Sequence, residues 1–127
     1  MTVTEKLNGY GPLAGIKVVE MCTYGAAPAT VRVLSEMGAE VIKIESFAGD
    51  TQRTHGPGFG CELTDTEDPT IDLNNTNKNW VSLNLKDPEG LAIAKKMIGE
   101  ADIFMNNMRT AALKKLGLDY ETLHEEF

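Results

Sequence analysis

The residues of this chain best equipped for chemistry come at the end of a short apolar run. Gly38-Ala-Glu-Val-Ile-Lys-Ile-Glu45, followed by Gly49-Asp50, sets acidic side chains where a β-strand would finish, the place at which α/β sheets bind ligands. A carboxylate at Glu45 suits a ribose hydroxyl, about twenty residues beyond a first strand-to-helix turn; those of Glu45 and Asp50 equally suit capping or solvating a loop. The turn itself, Tyr24-Gly-Ala-Ala-Pro28, speaks against a dinucleotide enzyme. A G-x-G-x-x-G fingerprint needs glycines at 27 and 30 after Gly25, where the chain has Ala27 and Thr30. The small residues of that turn fit either tight strand-to-helix packing or close approach of the backbone to a ligand. Cys22 precedes it, but neither a helix N-terminus nor a paired histidine is evident nearby, so a nucleophilic role is not expected. His55 and His124 lack partners at a catalytic or metal spacing and read as surface histidines.

The elements that must position these groups alternate between two periods. Ile16–Met21 is near-continuously apolar, as in a strand buried on both faces. Pro28 suits a first helical turn, Val31, Leu34 and Met37 form the buried stripe of the helix, and Gly38 stops it. Val41–Ile44 is the second strand, with Ile42 and Ile44 on one face and Val41, Lys43 and Glu45 on the other, so one face is partly polar towards its C-terminal end. Residues 16–45 thus form a βαβ unit. Between Ser46 and Asn79 glycines and prolines punctuate a long loop, of the kind that is usually functional or poorly ordered. Trp80–Leu85 reads as a third strand near a sheet edge. Asp87, Pro88 and Glu89 supply a cap, a first helical position and a negative charge at the positive end of a helix dipole. Leu91, Ala94, Met97 and Ile98 give that helix its buried face. Ala101–Asn107 is the fourth strand, Thr110–Leu116 a short helix ended by Gly117, and a further helical turn begins near Tyr120. Trp80 and Phe104, in strand-like runs, are expected in the core. Two β-α-β units in series predict an α/β fold, a Rossmann-like open parallel sheet with right-handed crossovers.

Composition limits the partners. A chain of 127 residues with 42% hydrophobic and 24% charged residues is one soluble domain in size. Its net charge of −7 opposes nucleic-acid binding, and the basic doublets Lys95-Lys96 and Lys114-Lys115 read as solvated faces. No apolar run approaches the roughly 20 residues that span a bilayer, and Met-Thr-Val-Thr-Glu-Lys lacks the order of a signal peptide. A cytoplasmic protein is expected, with Cys22 and Cys61 reduced and at no metal-ligand spacing.

In combination, these segments resemble the N-terminal part of family III CoA-transferases, the group that includes formyl-CoA transferase, carnitine CoA-transferase and the bile-acid-inducible CoA-transferases. The pieces that carry the resemblance are Leu13-Ala-Gly-Ile-Lys-Val-Val-Glu20, Ala26-Ala27-Pro28, Gly38–Glu45, Gly49-Asp50 with Arg53, Asn77-Lys78, Leu83-Asn-Leu-Lys86, Pro88-Glu89-Gly90, Ala101-Asp102, Asn107, Arg109 and Leu116–Leu123. Ile71–Lys78 and Asn107-Met-Arg-Thr110 look most like the branch acting on 2-hydroxyacyl and aryl-lactyl acids.

The resemblance implies a coenzyme A site at Tyr24, Gly25, Ala26, Ser46, Leu83, Lys86, Asn107, Met108, Arg109 and Lys115. Lys86, Arg109 and Lys115 are suited to pairing with phosphates. Ser46 and Asn79 stand where many members carry Arg, which removes phosphate partners there. It further implies acyl-CoA and a carboxylic acid as substrates, no permanently bound cofactor or metal, and an interlocked homodimer. The nucleophilic Asp of the family lies beyond the matching segment, so no catalytic residue is expected here. Residues 1–12 read as an arm and 13–127 as a CoA-binding segment truncated at its C-terminus and inert alone. The 2-methylacyl-CoA racemases share the same site and remain an alternative. So does a non-catalytic assembly module, because a sheet lacking further elements exposes edges and self-associates or is marginally stable.

Overall fold

A computed structural model describes residues 10–64 and 66–127; most of the expected N-terminal arm, residues 1–9, lies outside the described residues. The core is a four-stranded sheet of β1 (Lys17–Met21), β2 (Glu40–Glu45), β3 (Asn79–Ser82) and β4 (Ile103–Asn106) in the order β3-β2-β1-β4. All pairings are parallel. β1 is central, with Val18 opposite Val41 on one side and Ile103 on the other. The strand order therefore reverses between β1 and β4, the kind of point at which open α/β sheets hold ligands.

Helices cover both faces. Helix α1 (Ala26–Glu36) lies over the face where Val18, Val31, Ala39 and Val41 cluster. On the opposite face Val19, Met21, Ile44 and Leu83 meet Ala94 and Ile98 of α3 (Pro88–Gly99) and Leu113 of α4 (Thr110–Leu116). Because strand side chains alternate, Glu20 and Lys43 continue the line of Val18 and Val41 on the α1 face. That line ends in charge.

The local signals explain most boundaries. Asp87 Oδ1 accepts the Glu89 N–H at 2.9 Å, and Pro88 occupies the first turn of α3. Gly117, at φ 63°, ends α4, and α5 (Tyr120–Glu126) follows with Asp119 as its cap. Gly38, at φ 103°, has a further reason to be glycine: a Cβ there would come within 2.6 Å of the Tyr10 carbonyl oxygen.

Several expectations change. β3 ends at Ser82 rather than Leu85; one more bond, Leu83 N–H to the Glu45 carbonyl at 2.9 Å, follows before the backbone turns away. Met37 is exposed, since it lies past the end of α1, and the buried place is taken by Ser35, whose Oγ donates within hydrogen-bond reach of the Arg32 carbonyl at 2.7 Å. Trp80 is 39% exposed because its edge strand leaves one side of the indole uncovered, whereas Phe104 packs on the core as expected. The long loop contains two 3-10 turns, Thr51–Thr54 and Gly56–Phe59, and a short helix α2 (Pro69–Asp72), capped by the Asp68 carboxylate.

Candidate functional site

The C-terminal ends of β1, β2 and β3 open onto a cavity of about 570 Å³. Met21, Ile44, Leu83, Leu85, Met108 and Leu116 make its apolar wall, and Lys86 and Lys115 stand at its border. Both lysines are exposed, so an anion reaching them would keep part of its hydration. The arrangement suits a ligand with a flat or aliphatic body and peripheral negative charge.

Among the positions that sequence had singled out, Ser46, Leu83, Lys86, Met108 and Lys115 line this cavity. Tyr24 and Gly25, in the loop leaving β1 next to the lining residue Thr23, and Ala26, the first residue of α1, lie outside its lining. Asn107 is likewise outside, its amide engaged by the backbone of Thr23. Arg109 is exposed at the start of α4. A second cavity, of about 550 Å³, lies beside β4, α4 and α5 and holds none of these residues.

Glu45 borders the main cavity but is already partnered: Arg53 Nη2 lies 3.1 Å from Glu45 Oε2, and the same guanidinium sits 5.0 Å above the Trp80 ring. His55 makes an edge contact with Tyr24, ring centroids 5.1 Å apart. His124 stacks on Tyr120 and is exposed, as expected of a surface histidine.

Sequence reasoning missed the group beneath the loop. Glu20, Lys43, Asp50 and Lys78 form a buried tetrad of two carboxylates and two ammonium groups. Lys43 Nζ lies 2.9 Å from Asp50 Oδ2 and 3.3 Å from Glu20 Oε1, and Lys78 Nζ lies 2.7 Å from Glu20 Oε2. The signal was present in the register: Glu20 and Lys43 are direct partners across β1 and β2, each a single charge in an otherwise apolar run. Burial works against ionisation of Asp50. Hydrogen bonds from the Gln52 and Tyr24 N–H groups and from Lys43 outweigh it and hold the carboxyl below its ordinary range. Burial lowers the Lys78 ammonium, with Glu20 opposing. Burial, reinforced by Glu20, pushes the Cys22 thiol up to about 12, which removes it as a nucleophile near neutral pH.

The model of CoA-transferase family III matches residues 13–127. The chain belongs to this family. Among family III relatives, it is 48% identical over 120 residues to cinnamoyl-CoA:phenyllactate CoA-transferase of Clostridium sporogenes, covering 94% of this chain and 29% of that protein. It is 44% identical over 115 residues to (R)-2-hydroxy-4-methylpentanoate CoA-transferase of Clostridioides difficile, covering 91% of this chain and 29% of that protein. A crystal structure of a CAIB/BAIF family protein from Brucella suis superposes with a TM-score of 0.79 at 34% identity, over 91% of this chain and 30% of that one. The chain thus spans under a third of the relatives it matches, as expected of the N-terminal part of a family III CoA-transferase. The names of the two Clostridial relatives fall in the hydroxy-acid and aryl-lactate branch suggested by residues 71–78 and 107–110.

Proposed function

We propose that this chain is the CoA-binding N-terminal part of an enzyme that moves coenzyme A from an acyl-CoA to a carboxylic acid, with a 2-hydroxy or aryl-lactic acid as one partner. The observation that carries the reading is the apolar cavity at the strand ends, bordered by Lys86 and Lys115. An adenine or pantetheine body suits its wall and CoA phosphates suit the two ammonium groups. Tyr24, Gly25, Ala26, Asn107 and Arg109 complete the proposed site from the adjoining loops.

In the whole protein, an Asp carboxylate outside this segment attacks the thioester carbonyl; the C–S bond breaks and CoA leaves as thiolate. The thiolate then attacks the Asp carbonyl of the resulting anhydride, releasing the donor acid and leaving an enzyme thioester. The acceptor carboxylate attacks that thioester, and the thiolate returns to the acceptor carbonyl, freeing the Asp. Each step replaces one acyl bond by another, so no redox partner is required. This segment binds and orients CoA and does not turn over alone. The whole enzyme is read as a cytoplasmic interlocked homodimer, an assembly testable by light scattering. Among the described residues no helix is long and apolar enough to cross a membrane.

Isothermal titration of the 127-residue chain with CoA, 3′-dephospho-CoA and NAD tests the site. CoA is expected to bind most tightly, and loss of the 3′-phosphate to weaken binding. A response to NAD with none to CoA would overturn the reading. The transferase is preferred to the racemase alternative because both Clostridial relatives carry transferase names.

A further inference from the structure

The segment from Cys22 to Pro28 is held from beneath by charges that solvent does not reach. Lys43 Nζ donates to the Cys22 carbonyl at 2.9 Å and to Asp50 Oδ2 at 2.9 Å. Asp50 Oδ1 in turn accepts the Tyr24 N–H and the Gln52 N–H, each at 2.9 Å. At the far end, Lys78 Nζ donates to the Pro28 carbonyl at 2.9 Å and to Asn75 Oδ1 at 3.0 Å. The segment that leaves β1 and enters the first turn of α1 is therefore bonded to a buried lysine at each end and to a buried carboxylate in between.

Tyr24 adopts φ 70°, a left-handed conformation that non-glycine residues enter only against steric opposition. Its N–H is the group that Asp50 accepts. Buried ion pairs are seldom better stabilisers than apolar side chains of the same volume, so thermodynamic stability alone is a poor reason for four charges here. The bonds that three of them, Lys43, Asp50 and Lys78, make to the backbone of one segment supply a better one.

We propose that Asp50, seated on Lys43, is a positioning residue that fixes the loop from Cys22 to Gly25, ahead of α1, in its ligand-ready shape before any ligand arrives. This rests on the reading of the adjoining loops as part of a CoA site. Asp50 itself touches no ligand; it acts through the Tyr24 backbone.

Amide hydrogen exchange on the unligated 127-residue chain, followed by NMR, reads the loop directly. In the unaltered chain the Tyr24 amide should exchange at least about 100-fold more slowly than in an unfolded peptide. Asp50→Ala should speed that exchange by about ten-fold or more, leave Val19 and Val41 in the central strands unchanged, and weaken CoA binding by about ten-fold. Asp50→Asn keeps an oxygen acceptor for Tyr24 but turns an amide donor towards the Lys43 ammonium, so it should recover part, not all, of the protection and affinity lost in Asp50→Ala. Peptide-like exchange of Tyr24 in the unaltered chain overturns the proposal even where Asp50→Ala fails to fold. So does faster exchange in Asp50→Ala with CoA affinity intact, or Tyr24 protection in Asp50→Asn no greater than in Asp50→Ala. Absence of CoA binding by the unaltered chain sinks the site reading instead, and the exchange rates then still judge whether Asp50 positions the loop.

Discussion

Asn107 holds Thr23 by both of its backbone groups: its Oδ1 accepts the Thr23 N–H at 3.1 Å and its Nδ2 donates to the Thr23 carbonyl at 2.9 Å. The bond pair ties the loop after β4 to the loop after β1, across the point where strand order reverses. Asn107→Ala should cost about 1–2 kcal/mol, read as a lower urea midpoint, and should weaken CoA binding. Asn107→Asp keeps the acceptor but sets a carboxylate oxygen against the Thr23 carbonyl, and should recover little of that loss. An unmoved midpoint in Asn107→Ala would show that the brace contributes nothing.

Lys86→Ala and Lys115→Ala should each weaken CoA binding by about 1 kcal/mol, roughly five-fold in Kd, because both ammonium groups are exposed and solvent screens them. Raising the salt concentration should weaken the unaltered chain more than the double variant. Equal salt dependence in titrations of both would remove the lysines from the phosphate site.

Acid should act through Asp50. Its folded-state pKa lies below the ordinary carboxyl value: burial opposes ionisation, but the N–H groups of Gln52 and Tyr24 and the Lys43 ammonium outweigh it. The sign follows from linkage. The stabilisation is fully present above the unfolded value of about 3.9 and is lost as pH falls through the lower folded value. Urea midpoints taken from pH 7 to pH 3 should therefore drop more steeply in the unaltered chain than in Asp50→Asn.

Lys43→Met leaves Glu20 and Asp50 facing each other in a buried site without the cation between them. A loss of about 3–5 kcal/mol is expected. Combining it with Asp50→Leu should cost less than the sum of the two, since the second change removes a charge that the first had stranded. Additive urea unfolding energies in this cycle would mean that the pair is not coupled.

Thiol chemistry should separate the two cysteines. Cys22 is 1% exposed with its thiol pushed up to about 12, whereas Cys61 is half-buried. Iodoacetamide at pH 8 should label Cys61 in the folded chain and reach Cys22 only in denaturant. Peptide mapping that finds Cys22 modified at the rate of Cys61 would contradict the buried site.

Sequence reasoning succeeded where the determinant is local. Asp87-Pro88-Glu89 starts α3, and Gly117 ends α4, because caps and left-handed glycines act within one turn of chain. It failed where the determinant is distant. Ser35 is buried because its hydroxyl finds the Arg32 carbonyl one turn back at 2.7 Å and, far along the chain, the Thr76 carbonyl at 3.2 Å. Hydropathy ranks a serine below a methionine and cannot register that acceptor. Trp80 stands out because β3 has a neighbour on one side only. For the site, the strand ends and small-residue loop were legible as positions. The Glu20, Lys43, Asp50 and Lys78 tetrad was not, because its members are scattered along the chain and meet only once β1 and β2 are in register.

The contacts that shape the β1–α1 loop reach its main chain: the carbonyls of Cys22 and Pro28, the amide of Tyr24, and both groups of Thr23. Gly25 has no side chain, and the methyl groups of Ala26 and Ala27 take no part in that anchoring. Replacements at these three places that respect the local dihedral angles would alter the surface this segment presents without redrawing its path. The path of the main chain and the surface it presents are thus separate dials in this segment.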